Sequence, residues 1–588
     1  MNKANDKQIL WRCFHYLRPY WKLESGIYGL MILINLINIL VPQLIRWAID
    51  SGIYGGNLQL LGQAVGGLLL LTFVKGVMIY FQGNWTELAS QNVAYDIRNE
   101  LVRKLASLSF SFHDRTEAGQ ILTRAMQDVE RVRFLTGRAI LRIIEGTVLI
   151  ALTAVILLRM NTTLAALIII TLPLLIHRAY NFGRQFRPLS MEIQEQLGVI
   201  TTQLEQNLRG ARIVKSFSQE NAEIDRFIDE NEKWFKLSAE STRVQAVNAP
   251  MLDMIANLGT VFIIWYGGYL VIQDQLTLGE LVAFTTYLAM LVRPIRLIGR
   301  IIPVLAIAAS AGERIFGILD APVEVTDSPD ATPLPRLNGR VQFKDVNFTY
   351  GNKHAVLHNI NFTSEAGQIV ALMGATGSGK STLINLVARF YDPTTGAVLI
   401  DGHNPQQHTI QSLRSQLGFV MQDTILFATT IRENITFGHP EATEAEIIQA
   451  AKDAQAHEFI MAMPNGYDTY VGERGITLSG GQKQRLAIAR ALITDPRILI
   501  LDDATASVDT NTESLIQKAL DRLMEGRTTF VIAHRLSTVQ RADQILLLEH
   551  GQIVARGTHE TLRHSSELYR QVYELQIQPE GNHGQVRA

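Results

Sequence analysis

Cysteine is nearly missing from these 588 residues, Cys13 being the single one. An intrachain disulfide framework is therefore excluded, and the redox compartment is left open. Excess charge of either sign is missing too. Lys and Arg total 54 against 55 for Asp and Glu, a formal net charge of −1, so no global basic field argues for a nucleic-acid partner. The amino-terminal stretch MNKANDKQILWRCFHYLRPYWK lacks the short apolar core and small-residue cleavage site of a removable signal. The first long apolar run is expected to serve as its own anchor. Long apolar runs end before about residue 310. The apolar share of 47% thus averages two unlike parts, one suited to lipid and one to water.

What is present begins with Ser25–Ile45, which carries no charged side chain. At about 1.5 Å per residue this run crosses a hydrocarbon core about 30 Å thick. Further runs follow at about 60–82, 141–158, 164–176, 252–272 and 278–292, the last continuing past Pro294. Backbone groups in lipid must be satisfied by a helix or a closed barrel, and these lengths fit helices. Six spans are expected. Lys75, inside the second run, lines a polar pathway or snorkels; both readings stay open. The connections 46–57, 159–163 and 273–277 are short and nearly free of Lys and Arg, whereas 87–138 and 177–243 are long and arginine-rich. The positive-inside bias therefore places both long connections and both termini of this multi-pass protein in the cytoplasm, and the plasma (inner) membrane is the expected location. As a continued helix, Glu87–Phe112 would project about 40 Å from the bilayer. At the ends of the two projections, Phe112–Gly119 and Gly210–Phe217 place glycine and an aromatic beside charges. That composition suits a small knob that docks on another domain, although composition alone more often marks a solvated loop.

Residues 321–340 are rich in proline and acidic residues and are expected to be a linker. From Val341 to about residue 575, strand-like and helical patterns alternate, which predicts an α/β domain with a ligand at the strand ends. Its centre is MGATGSGKST, Met373–Thr382, between an apolar run and a helical pattern. Gly374, Gly379, Lys380 and Ser381 have phosphate-loop spacing. Loop amides would surround a polyphosphate, Lys380 would neutralise its outer groups, and the Ser381 hydroxyl would bind Mg²⁺. A second acidic site ends the buried run Ile498–Leu501: Asp502 can hold the Mg²⁺ shell, and Asp503 is placed to polarise an attacking water. Ser479, Gly480 and Gly481 open another helix with a hydroxyl and bare amides, a second anion cradle. Two cradles in one domain make sense if two such domains face each other across the nucleotide.

Leu478-Ser479-Gly480-Gly481-Gln482, together with the two phosphate motifs, resembles the ATP-binding cassette of ABC transporters. Six spans followed by one cassette resemble an exporter-type half-transporter, similar to bacterial multidrug and lipid exporters. The resemblance implies a multi-domain fold: an all-α transmembrane domain over 25–320 with long cytoplasmic helical extensions, then an α/β P-loop cassette over 341–575. Residues 1–24 would be a cytoplasmic lead and 576–588 a tail. It also implies ATP and Mg²⁺ as cofactors. Tyr350 would stack on adenine, and Ala375, Thr376, Gly377, Ser378 and Thr382 would complete the phosphate loop. Gln422 would contact Mg²⁺, His534 would sit near the γ-phosphate, and Asp509 would belong to the loop crossing the dimer interface. Tyr470–Gly475 resembles the segment that touches the cytoplasmic knobs.

One departure stands out. The family's residue after the strand aspartate is usually glutamate, and here it is Asp503. Its carboxylate is drawn back by about one C–C bond, about 1.5 Å, and a misplacement near 1 Å can slow a reaction on the order of 100-fold. The expectation is a site that binds ATP and hydrolyses it poorly, in a heterodimer whose second half-transporter carries the glutamate. The alternative is a homodimeric lipid or drug exporter in which Asp503 is an adequate catalytic carboxylate. Expected partners are membrane lipids and a small-molecule, lipid or peptide substrate, with no nucleic acid.

Overall fold

The structure is a computed structural model. It describes residues 3–351, 355–421, 424–472, 475, 477–502, 510–533, 536–571 and 573. The chain divides into two compact units: Met1–Ala106 with Glu117–Ala321, and Ser107–Thr116 with the residues from Pro322 onward.

The first unit is helical. A lead helix, α1 (Lys3–His15), precedes α2 (Trp21–Trp47), and α3 (Leu58–Ser107) follows. The short helix α4 (Phe110–Arg115) belongs to the second unit. Ala118–Met160 forms α5, with π-helical turns at Arg124–Asp128 and Leu135–Ala139. It is followed by α6 (Thr162–Arg209), α7 (Ala211–Ser216), α8 (Glu220–Ile272) and α9 (Leu278–Leu319). Among the described residues, five helices are long and apolar enough to cross a membrane, and a sixth apolar stretch, Leu278–Val292, opens α9. The 50 residues of α3 extend about 75 Å at the helical rise. The apolar run and the polar projection predicted from sequence are therefore one continuous rod.

Local chemistry explains where these rods begin. Asn161 caps α6 by accepting from the Leu164 amide at 3.0 Å, which separates the third and fourth apolar runs with a single non-helical residue. Thr277 and Glu280 form a capping box at the start of α9, and Asp50 also accepts there from the Gly279 amide at 2.9 Å. Inside α2, Pro42 interrupts the hydrogen-bond ladder. Nearby, the buried Tyr287 hydroxyl donates to the Ile39 carbonyl at 2.6 Å and accepts from Gln43 Nε2 at 3.1 Å, satisfying polar groups within the bundle.

The glycine of the first knob, Gly119, would suggest a break in the long helix, and the chain makes none there. Gly119 is helical, inside α5. The breaks fall at Ser109 (φ −68°, ψ 160°) and Thr116 (φ −122°, ψ 121°), which enclose α4. A glycine within a helix loses only about 1 kcal/mol relative to alanine, so Gly119 is a poor marker of a helix end.

In the second unit, strands β1 (Val341–Thr349), β2 (Ala355–Ser364) and β4 (Thr395–Ile400) form an antiparallel sheet in the order β2-β1-β4, with β3 (Ile369–Met373) between β2 and β4 in sequence. A second sheet contains β3, β5 (Leu417–Val420), β6 (Ile498–Asp502), β7 (Thr528–Ile532), β8 (Gln544–Glu549) and β9 (Gln552–Gly557). Its order is β5-β6-β7-β3-β8-β9, parallel except for β9. Strands buried on both faces read as near-continuous apolar runs, as β6 and β7 do. Alternate residues feed two cores: Leu499 and Leu501 one, Ile498 and Ile500 the other.

Candidate active site: the phosphate loop and the signature helix

The phosphate loop leaves the carboxyl end of β3, a central strand, and leads into α10 (Lys380–Val387). Ile532 of β7 pairs in register with Leu372 on one side and Asp502 on the other. The loop and Asp502 therefore sit at the same edge of the sheet, one strand apart, where α/β folds bind ligands.

Glycine is required twice in this loop. Gly374 has φ +144°, and a Cβ there would lie 2.1 Å from the Leu548 carbonyl oxygen. Gly379 has φ +103° and would meet Leu357 at 2.6 Å. Because Gly379 occupies the N-cap of α10 without a side chain to offer, the first-turn amides of that helix remain available to an anion. Gly377 faces open space, with nothing within 4 Å of an added Cβ. The Lys380 ammonium donates to the carbonyls of Gly374 and Ala375, both at 2.8 Å. Burial pushes Lys380 below the usual lysine range, and the Asp502 carboxylate pulls it back up. Among the described residues, the buried Ser378 hydroxyl has no hydrogen-bond partner. A lysine held by carbonyls, uncapped amides and an orphaned hydroxyl around an open turn fit a polyphosphate.

The second cradle opens α11 (Gly480–Leu492). Ser479 accepts from the Gln482 amide at 3.3 Å, while Gln482 Oε1 accepts from the Ser479 amide at 2.9 Å. The Gln482 side chain is thus engaged in shaping the helix start. Gly480 is exposed and open, whereas Leu478 is buried in the apolar core. Of the five signature residues, Ser479 and Gly480 present surface to a ligand, and Leu478 anchors the turn.

Tyr350 follows β1, and its hydroxyl lies 3.1 Å from Thr382 Oγ1 in the first turn of α10. The site residues Gln422, Asp503, Asp509 and His534 lie outside the described residues, as does part of Tyr470–Gly475. The sequence reading missed two groups. Tyr391 packs edge-on against Tyr350 at 5.0 Å, and its hydroxyl donates to Asp114. The adjacent Phe390 stacks on Phe110 at 4.4 Å. The aromatic character of the first knob was the available signal; its partners, far away in sequence, were not.

Residues 357–506 match the family described as ABC transporter, and residues 27–295 match the ABC transporter transmembrane region. The chain belongs to the ABC transporters, as an exporter half: a helical transmembrane domain of long helices followed by an α/β ATPase domain that binds ATP and couples hydrolysis to transport. It is a multi-pass membrane protein, and a half of this kind pairs with another ABC half. It is 38% identical to an ATP-dependent lipid A-core flippase of Syntrophus aciditrophicus, over 97% of this chain and 94% of that one. To a putative multidrug export ATP-binding/permease protein of Staphylococcus aureus it is 39% identical, over 96% of this chain and 99% of the relative. Among solved structures, that of a bacterial Atm1-family ABC exporter with ATP bound superposes with a TM-score of 0.78 at 30% identity, covering 94% and 98% of the two chains.

Proposed function

We propose that this chain exports a hydrophobic or amphipathic substrate, of the lipid or drug type, across the plasma membrane by alternating access, as the slowly hydrolysing half of a heterodimer. ATP closing two cassettes on each other would turn the transmembrane cavity outward, and hydrolysis would reset it. ATP binding would use Tyr350, the loop Gly374–Thr382 and Mg²⁺ held by Ser381, Asp502 and Gln422. Ser479 and Gly480 would complete the partner's site. When bound, Mg²⁺ supplies charge neutralisation at the phosphates; Lys380 would orient the outer phosphates, and His534 would act at the γ-phosphate.

The observation that carries the asymmetry is Asp503 beside an intact Leu478–Gln482 signature. Removing one methylene from the water-polarising residue weakens hydrolysis while leaving Lys380 and the loop amides to bind ATP. Asp503→Glu is therefore expected to raise steady-state phosphate release on the order of 100-fold at this chain's own site. An unchanged rate would show that carboxylate reach does not limit the reaction. A stable homodimer of the purified chain with brisk, substrate-stimulated ATPase would favour the homodimeric lipid or drug exporter instead.

A further inference from the structure

The turn between β8 and β9 is a two-residue hairpin that lies against the phosphate loop. Glu549 pairs with Gln552, which leaves His550 and Gly551 as the turn, with φ of +46° and +77°. Positive φ at both central residues is the mark of a type I′ turn, favoured in tight hairpins. No side chain fits at Gly551, because a Cβ there would lie 2.2 Å from the Val356 carbonyl oxygen of β2. The Gly551 carbonyl accepts from the His358 amide at 2.8 Å. Its amide donates to the Ser378 carbonyl, inside the phosphate loop, at 3.2 Å.

Backbone thus closes behind the loop from two sides. The Leu548 carbonyl of β8 stands against Gly374, and Leu357 and the Val356 carbonyl of β2 stand 2.6 and 3.4 Å from a Cβ on Gly379. The pairing of β8 with β9 slips by one residue at the Leu547–Leu548 step, with Val554 as the extra residue. A bulge re-aims the backbone next to it, and this one falls at the residue that faces Gly374. Peptide planarity carries the effect of the turn to the ligand side. In a trans peptide, which every described bond here is, the carbonyl and the following amide point in opposite directions. Gly551 holds the Ser378 carbonyl towards the turn, so the Gly379 amide of the same peptide unit points away from it.

We propose that Gly551 is a positioning residue for ATP binding: its N–H fixes the Ser378–Gly379 peptide plane, so that the Gly379 amide joins the first-turn amides of α10 in meeting the polyphosphate. The proposal rests on the phosphate loop being the ATP site. A turn that only packed the end of the sheet would stabilise the fold and leave the surroundings of the phosphates unaltered.

The test uses the full-length chain in nanodiscs with glycolic acid in place of Gly551, made by ligating a synthetic carboxyl-terminal segment. This ester deletes the N–H, adds no side chain and sets an oxygen against the Ser378 carbonyl. Without nucleotide, Tm is expected to hold. ATP affinity by equilibrium dialysis is expected to fall about tenfold, and a ³¹P resonance of bound AMP-PNP to move. His550→Pro is the genetically encoded counterpart at an exposed position, since proline holds φ near −65° and cannot enter this turn. It should lose affinity alike, whereas His550→Asn, which tolerates a positive φ, should bind as the unmodified chain does. Should His550→Pro fold poorly, the ester chain decides. Unchanged affinity in the ester chain overturns the proposal, and so does a lowered Tm with unmoved phosphate resonances, the mark of a packing role alone. Lys380→Ala separates the premise: undiminished ATP affinity in that variant would remove the phosphate loop as the site, whatever residue 551 does.

Discussion

Gly374 shows how little slack the phosphate loop has. A methyl group there collides with the Leu548 carbonyl at a left-handed φ, so Gly374→Ala must displace either the loop or β8. The expected outcome is a lowered Tm together with loss of fluorescent ATP-analogue binding. Gly480→Ala is the informative contrast. Its added Cβ meets nothing within 4 Å, so Tm should hold, while activity measured with a partner half should fall because the methyl occupies the cradle face. The local part of the site was legible because its geometry depends on neighbouring residues. Glycines, lysine and hydroxyl within Met373–Thr382 determine their own backbone. Leu478 was placed in the cradle by its motif, but the core claims its side chain, since an apolar residue beside a helix start is more stable buried. Tyr391 and Asp114, 277 residues apart, leave no local pattern to read.

At the scale of elements, the long helices were predictable from apolar length, and their polar continuations from composition. The points where they tie together were not. Asp128, 1% exposed in the π-turn of α5, accepts from Arg314 of α9 at 2.6 and 2.7 Å and from Arg131 at 3.1 Å. A buried carboxylate that loses its bidentate partner is destabilised on the order of 3 kcal/mol, so Arg314→Ala should lower Tm clearly in detergent. The double variant Asp128→Leu with Arg314→Leu should recover part of that loss, since apolar replacement of both partners removes the stranded charge. No recovery would mean that the pair specifies the π-turn itself. The turn's extra residue reorients every later side chain of α5 relative to a regular helix, a rotation that periodicity alone does not register.

For the whole molecule, chain order and packing order differ. Six apolar runs and one cassette were evident from hydropathy and motif spacing. Docking of the first knob on another domain was expected, and Ser107–Thr116 does pack with the second unit; the residues it meets were not readable, because Phe390, Tyr391 and the linker come long afterwards in the chain. Ser109 Oγ even accepts from the Val325 amide at 2.9 Å, at the start of the linker. The cassette is therefore an interrupted module. A fragment beginning at Pro322 would lack the strip that covers Phe390 and Tyr391, and is expected to aggregate sooner in light-scattering assays than one to which a peptide of residues 107–116 is added. The same feature bears on ancestry and engineering. Recombination at the linker between two relatives would pair a cassette with a foreign strip, so cassette exchange should succeed chiefly where Phe110, Asp114 and Arg115 travel with it.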